Sequence, residues 1–271
     1  MIYNEEEKDM IGGFLDTDGI ITIKMAKKST IPNLLIELFN NDIEIMKSFY
    51  KMIGFGRFHY RKQLTGKLIC VLGFYGEEAH IFLYHFKDYV RIKGIYARKA
   101  FDVIDKLHQY YFDKYGYWAS KHYSNNDIKK SIVKMYDEYK QSGYFSREPY
   151  LWDKQNKPIT DAYLSGLLMG DGSFVICNDR NKFQNKICFY NFDGEDMGIF
   201  PEVISYLHLK SKVYKDKRQV FWGYIQMGSQ SEVIDLAKRI LPFSFGNKEK
   251  QLNLLISEIE DGYHRGNDTL E

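Results

Sequence analysis

Apolar residues recur at helical spacing up to an Asp-Gly step in two places, residues 11–19 and 164–172, and in each the pattern then switches to alternation. A change from a period near 3.6 to a period of 2 marks a helix running into a strand. The alternating runs are Ile20–Ala26 and Ser173–Cys177, and a second strand is predicted over Asn33–Phe39 and over Lys186–Tyr190. Next, in the first copy, Ile43, Met46, Phe49, Tyr50 and Ile53 fall at helical spacing. A hairpin follows, GRFHYR and KLICVLGF joined through QLTG. A helix is predicted from Glu77 towards Tyr84, then a short break, then another from about Ile95.

The same order returns in the second stretch. Gly13 falls on Gly166, Asp18 on Asp171 and Gly19 on Gly172. Further on, NNDIEIM (from Asn40) meets NFDGEDM (from Asn191), GRFHYR meets SKVYKD, Glu77 meets Glu232, Phe86 meets Leu241 and Lys93 meets Lys248. The register drifts by only a few residues, as expected of a duplicated unit with small loop changes, and the period is too long for a solenoid. The predicted class is α+β: two copies of an αββαββα unit. The expected division is 1–109 for the first half, 110–159 for a connector and 160–271 for the second half. The connector matches neither copy and contains one predicted helix, Asp127–Tyr139, with Pro149 and Pro158.

Composition narrows the picture. At 271 residues and 44% apolar, the chain can build about two domains. No apolar run approaches the roughly 18 residues of a membrane span, and no membrane partner is expected. The acidic start MIYNEEEKDM lacks the layout of a signal peptide. Three irregularly spaced cysteines suit neither a disulfide framework nor a zinc site, so an intracellular, reducing compartment is expected. The net charge of +2 permits a nucleic-acid partner without requiring one.

The chemistry centres on the two Asp-Gly steps. Gly12, Gly13 and Thr17 share one side of the first helix, and Ser165, Gly166 and Gly170 one side of the other. Small residues at this spacing let helix backbones touch. If the two helices pack together, their ends meet, and Gly19 and Gly172 are expected as left-handed caps. Asp18 and Asp171 then sit at helix C-termini, where the dipole disfavours negative charge by about 0.3–1 kcal/mol each. Their mutual repulsion adds to this. A divalent cation with oxygen ligands compensates such an arrangement, and Mg²⁺ commonly takes one or two carboxylates plus substrate phosphates.

IGGFLDTDG and LSGLLMGDG resemble the two motifs of single-chain LAGLIDADG homing endonucleases, over roughly residues 5–106 and 160–258. The resemblance implies two pseudo-symmetric halves joined along the motif helices, each with a curved antiparallel sheet lying in the DNA major groove. It implies metal-dependent hydrolysis of both strands of a long, imperfectly palindromic duplex by a monomer, leaving staggered ends. Asp18 and Asp171 would bind Mg²⁺ (with Mn²⁺ or Ca²⁺ as substitutes), aided by the carbonyls of Thr17 and Gly170. Lys93 and Lys248 would orient water or stabilise developing charge, with Lys99 and Lys250 as fallbacks. Asn40 and Asn191 match a polar position near the metals. Asp16 has no acidic counterpart, since Met169 takes its place, and is expected to be less essential than Asp18 and Asp171.

Strand alternation marks the DNA-binding candidates. Ile21 and Ile23 are expected to face the helices, with Thr22 and Lys24 on the other side. Arg57, His59 and Arg61 share one face of the third strand, with Lys212 and Tyr214 in the corresponding places. Lys67 in the first half, and Trp222, Tyr224 and Gln226 in the second, complete the set, although Val71 and Val175 interrupt the polar pattern. A β surface of this kind enters the major groove. The same resemblance admits an intron maturase with RNA as partner, or a catalytically silent DNA-binding regulator. Two acids held at such a cost favour the nuclease.

Overall fold

The computed structural model describes residues 2–25, 32–115, 126–142, 157–175, 186–191, 199–209, 213–215, 223–227 and 229–267. The first half begins with α1 (Glu5–Asp18). Asn4 starts this helix, accepting from the Glu7 amide while the Glu7 carboxylate accepts from the Asn4 amide, so two otherwise orphaned donors are satisfied. Then come β1 (Gly19–Met25), β2 (Pro32–Asn40), α2 (Ile43–Ile53), β3 (Arg57–Lys62), β4 (Leu68–Tyr75), α3 (Glu77–Phe86) and α4 (Gly94–Tyr115). Asp42 caps the start of α2, and Gly54, at φ 76°, ends it in the left-handed region. The four strands form an antiparallel sheet in the order β1-β2-β4-β3.

The second half repeats this plan with α6 (Asp161–Gly170), β5 (Ser173–Val175), β6 (Lys186–Asn191), α7 (Phe200–Tyr206), β7 (Val213–Lys215), β8 (Gly223–Met227), α8 (Gln230–Ile240) and α9 (Gly246–Asn267). Its sheet order, β5-β6-β8-β7, is the first sheet's order repeated. Between the halves lies α5 (Asn126–Gln141), which covers the predicted connector helix. It docks on the first half: Tyr136 is buried in that half's core, and its hydroxyl donates to the Ile23 carbonyl at 3.3 Å. The rest of the connector lies largely outside the described residues.

Each sheet has one apolar face. Ile21, Ile23, Leu34, Ile36, Leu38, Leu72 and Phe74 are buried in the first core, while Lys24, on the opposite face, is exposed. Ile187, Phe189, Ile225 and Met227 do the same in the second. Both cores meet at α1 and α6. A methyl on Gly13 would lie 2.2 Å from the Tyr163 carbonyl oxygen, and one on Gly166 would lie 2.2 Å from that of Met10. The two helices therefore touch backbone to backbone, as the small-residue stripe predicts.

Two details of that prediction need correcting. Gly12 faces the Tyr89 carbonyl, 2.2 Å from where its Cβ would be, and Ser165 donates to the Phe243 carbonyl at 3.0 Å. These two small residues admit the chain segments preceding α4 and α9 instead of the partner helix. Gly19 is extended (φ −122°, ψ 151°), and neither it nor Gly172 has positive φ. What excludes a side chain there is proximity: an added Cβ would fall 2.3 Å from Leu15 Cδ1 or 2.4 Å from Leu168 Cδ2.

Candidate active site and nucleic-acid interface

Because α1 and α6 pack at Gly13 and Gly166, their C-terminal ends converge. Asp18 and Asp171 line one open pocket of about 470 Å³, with Asn40, Asp42, Met169, Gly170, Asn247 and Lys248 among its walls. Burial pushes the Asp18 carboxyl up to about 7, and the Asp171 charge pushes it in the same direction. Burial raises Asp171 to about 6. Lys93 and Lys248 oppose both shifts by stabilising the carboxylates.

Asn40 holds this arrangement across the two halves. Its Nδ2 donates to Asp18 Oδ2 at 2.6 Å and lies 3.3 Å from the Met169 carbonyl. Lys93 Nζ donates to the carbonyls of Leu15 (3.0 Å), Thr17 (3.2 Å) and Gly19 (2.7 Å), placing a cation on the negative end of the α1 dipole. Lys248 Nζ donates to the Gly172 carbonyl and lies 5.4 Å from the centre of the Phe174 ring. Burial lowers the pKa of Lys248, while Asp18, Asp171 and Asp42 pull it back up. Thus Asp18, Asp171, Lys93, Lys248 and Asn40 come together. The Thr17 carbonyl already accepts from Lys93. Gly170 lies so close to Thr17 that an added Cβ would meet Oγ1 at 2.0 Å. Asn191 is in β6, where its backbone pairs with Gly223, but its side chain lies outside the described residues.

The donor set fits a hard divalent cation. Two desolvated carboxylates that repel one another open into a polar pocket, and oxygen is the ligand such ions prefer. Among the described residues no three His, Cys, Asp or Glu side chains cluster as a metal cage. That suits an ion whose shell is completed by water and phosphate.

Sequence reasoning missed one member of this region, Asp42, and gave little weight to another, Asp16. Asp42 accepts from the Asn247 amide at 2.6 Å, joining α2 of one half to α9 of the other. It caps the start of α2, accepting from the Glu44 amide at 2.9 Å, but nothing local signals the partner across the interface. Asp16 is only 4% exposed and accepts from the amides of Arg91 and Lys93, both at 2.7 Å, and from the Tyr163 hydroxyl at 2.8 Å. Lacking an acidic twin does not make it idle.

On the outer face of the first sheet, cross-strand register aligns Ile20 with Glu37, Glu37 with Gly73 and Gly73 with Arg57. Thr22, Lys24, His59 and Arg61 share this face, and Val71 there is fully buried between its neighbours. Glu37 is 6% exposed yet lies on it, accepting from Arg61 Nη2 at 2.5 Å. Arg57 lies over the Tyr75 ring at 5.1 Å and 3.8 Å from Glu78. Lys67 is exposed in the β3–β4 turn instead of on the strand face. In the second sheet Tyr214 and Tyr224 are paired across β7 and β8 with rings stacked at 5.2 Å, and Gln226 lies opposite Cys188. Lys212 and Trp222 lie outside the described residues.

No protein-family model matches the sequence. Solved structures do resemble the whole chain. A LAGLIDADG homing endonuclease, I-GzeII in complex with its DNA target, superposes at a TM-score of 0.67 with 15% identity, over 97% of this chain and 93% of that one. I-SmaMI bound to an uncleaved DNA target in the presence of calcium ions gives 0.66 at 16% identity, over 96% and 92%. The LAGLIDADG meganuclease I-AabMI bound to uncleaved DNA gives 0.64 at 15%, over 95% and 92%. The chain has the LAGLIDADG homing-endonuclease fold.

Proposed function

We propose that the protein is a site-specific DNA endonuclease that, as a single chain, hydrolyses both strands of a long duplex site with a divalent cation and leaves staggered ends. The observation that carries this reading is the pair Asp18 and Asp171. They are held together and desolvated at the meeting point of two helix C-termini, with Lys93 and Lys248 near enough to stabilise both carboxylates. A binding protein has no use for so unfavourable a pair. The DNA complexes formed by chains of this fold support duplex DNA as the partner, I-SmaMI bound to cleaved DNA among them. Nothing comparable favours intron RNA.

Asp18 and Asp171 would hold Mg²⁺, or Mn²⁺ or Ca²⁺ in its place, with the Gly170 and Thr17 carbonyls nearby. When bound, the cation supplies charge neutralisation at the phosphate and a more acidic water. In the hydrolysis a water oxygen bonds to phosphorus and the bond from phosphorus to the leaving sugar oxygen breaks. One proton is lost to solvent and one is gained by that oxygen. Lys93 and Lys248 would place positive charge where negative charge develops on the phosphate, in a site that partly excludes water. Asn40 keeps the Asp18 carboxylate aimed into the pocket. The outer sheet faces, with Arg57, His59, Arg61, Thr22, Lys24, Tyr214, Tyr224 and Gln226, would contact bases and phosphates, and Lys67 the backbone.

The test is cleavage selection on a random duplex library with Mg²⁺, followed by sequencing of the ends. The native chain should recover one long site. Asp18→Asn and Asp171→Asn should each abolish double-strand cutting while retaining most binding. Undiminished cutting by either variant would move the metal site elsewhere.

A further inference from the structure

The two lysines beside the acid pair occupy equivalent places in the repeat, yet their main chains are held by unrelated groups. Lys93 has its own amide bonded to Asp16 Oδ1 at 2.7 Å, and the amide of Arg91 bonded to Asp16 Oδ2 at 2.7 Å. The Tyr163 hydroxyl, from α6, fixes the same carboxylate at 2.8 Å. Arg91 is anchored in turn by Asp9 at 3.0 Å and by the Pro158 carbonyl at 2.8 Å. In the second half Met169 stands where Asp16 stands in the first. It is 1% exposed, and its side chain has no oxygen to offer the first turn of α9. There the work falls to Asp42, which comes from the first half: its Oδ2 accepts from the amide of Asn247, the residue before Lys248, at 2.6 Å. Gly246 permits this approach. It has φ 60°, and a Cβ on it would lie 2.8 Å from Asp42 Oδ2.

We propose that Asp16 and Asp42 are positioning residues, each fixing the main chain that presents one of the two lysines, so that losing either impairs the cutting of one DNA strand and spares the other. The inference rests on the nuclease reading above. Where the adjoining main chain is held sets where each ammonium can reach, at the Lys93 amide in one half and at the Asn247 amide beside Lys248 in the other. A displacement of about 1 Å costs on the order of 100-fold at a reacting centre. The two anchors share no atoms, so their effects separate.

The experiment uses the full chain and a duplex carrying the site recovered by the selection, with a different dye on each strand and Mg²⁺ present. Single-turnover rates are read for each strand. Lys93→Ala and Lys248→Ala define which strand depends on which lysine. Asp16→Asn, which keeps one acceptor oxygen, should slow the Lys93-dependent strand roughly tenfold or more, with nicked duplex accumulating. Asp42→Asn keeps an N-cap for α2 and should slow the other strand. A purely structural role would slow both strands alike. If Asp16→Asn does not fold, Tyr163→Phe removes one group fixing the carboxylate and should give the same bias more weakly. Equal slowing of both strands by both variants, or the same strand affected by both, overturns the proposal while leaving the nuclease reading intact. A wild-type chain that cuts neither strand overturns both.

Discussion

Replacing Gly13 by alanine tests the contact on which the acid pair depends. The added methyl would lie 2.2 Å from the Tyr163 carbonyl oxygen and 3.1 Å from the Leu167 amide nitrogen. Comfortable carbon contacts begin near 3.5 Å, so α1 and α6 must separate by about 1 Å or more. Both obstructing groups are backbone, and no rotamer change relieves them. Overpacking of this kind costs about 1–3 kcal/mol, and here the upper end applies. Alanine's better helix propensity returns about 1 kcal/mol. The expected net loss is about 2 kcal/mol, read as a lower midpoint in urea at unchanged slope. The same separation draws Asp18 from Asp171 and should reduce single-turnover cutting on the order of 100-fold. Gly166→Ala, blocked by the Met10 carbonyl at 2.2 Å and the Phe14 amide at 2.8 Å, should behave alike. A wild-type midpoint together with wild-type cutting in either variant would refute the close-packing argument.

Other outcomes follow from the same geometry. Asp18 and Asp171 titrate near 7 and 6 in the fold, above the ordinary carboxylate value of 3.8. Their contribution to metal-free stability is therefore most favourable below about pH 4 and is lost as pH rises through 6 to 7. In EDTA the urea midpoint should fall between pH 5 and 8, Mg²⁺ should restore it most at pH 8, and Asp18→Asn should flatten the slope. A slope unchanged in that variant would remove Asp18 as the cause. Arg91→Ala should cost about 3–5 kcal/mol by leaving Asp9 buried without its partner at 3.0 Å. Denaturation midpoints check this, and a loss under 1 kcal/mol would contradict it. Arg61→Ala should weaken binding of the selected site by about 1–3 kcal/mol and relax one base position, read by competition with single-base variants. Equal weakening on all sequences would make Arg61 a phosphate contact.

Much of the architecture was legible in the residue pattern, because periodicity is a local property that a strand or helix cannot hide. Strand β2 was expected at Asn33–Phe39 and spans Pro32–Asn40, and the connector helix extends its expected bounds by only one or two residues. The repeat placed Asp18 opposite Asp171 and Lys93 opposite Lys248, and all four converge. The glycines of the motif were located correctly but explained wrongly at Gly19 and Gly172. A left-handed cap and a close approach both demand glycine, and composition does not distinguish them.

What needed the folded chain was everything set by distance across the two halves. Asp16 looked less essential because its repeat partner is Met169, yet its hydrogen bonds run to residues more than seventy positions away. Asp42 caps α2 through its neighbours, while its bond to the Asn247 amide spans 205 positions. Glu37 sits in a run of apolar residues; register sets it in line with Arg57, and only the folded sheet shows that the Arg61 side chain reaches it. Helix and strand signals come from adjacent side chains and survive in one dimension. Hydrogen-bond partners and shared electrostatic fields depend on which surfaces meet, and that is decided when the two halves pack.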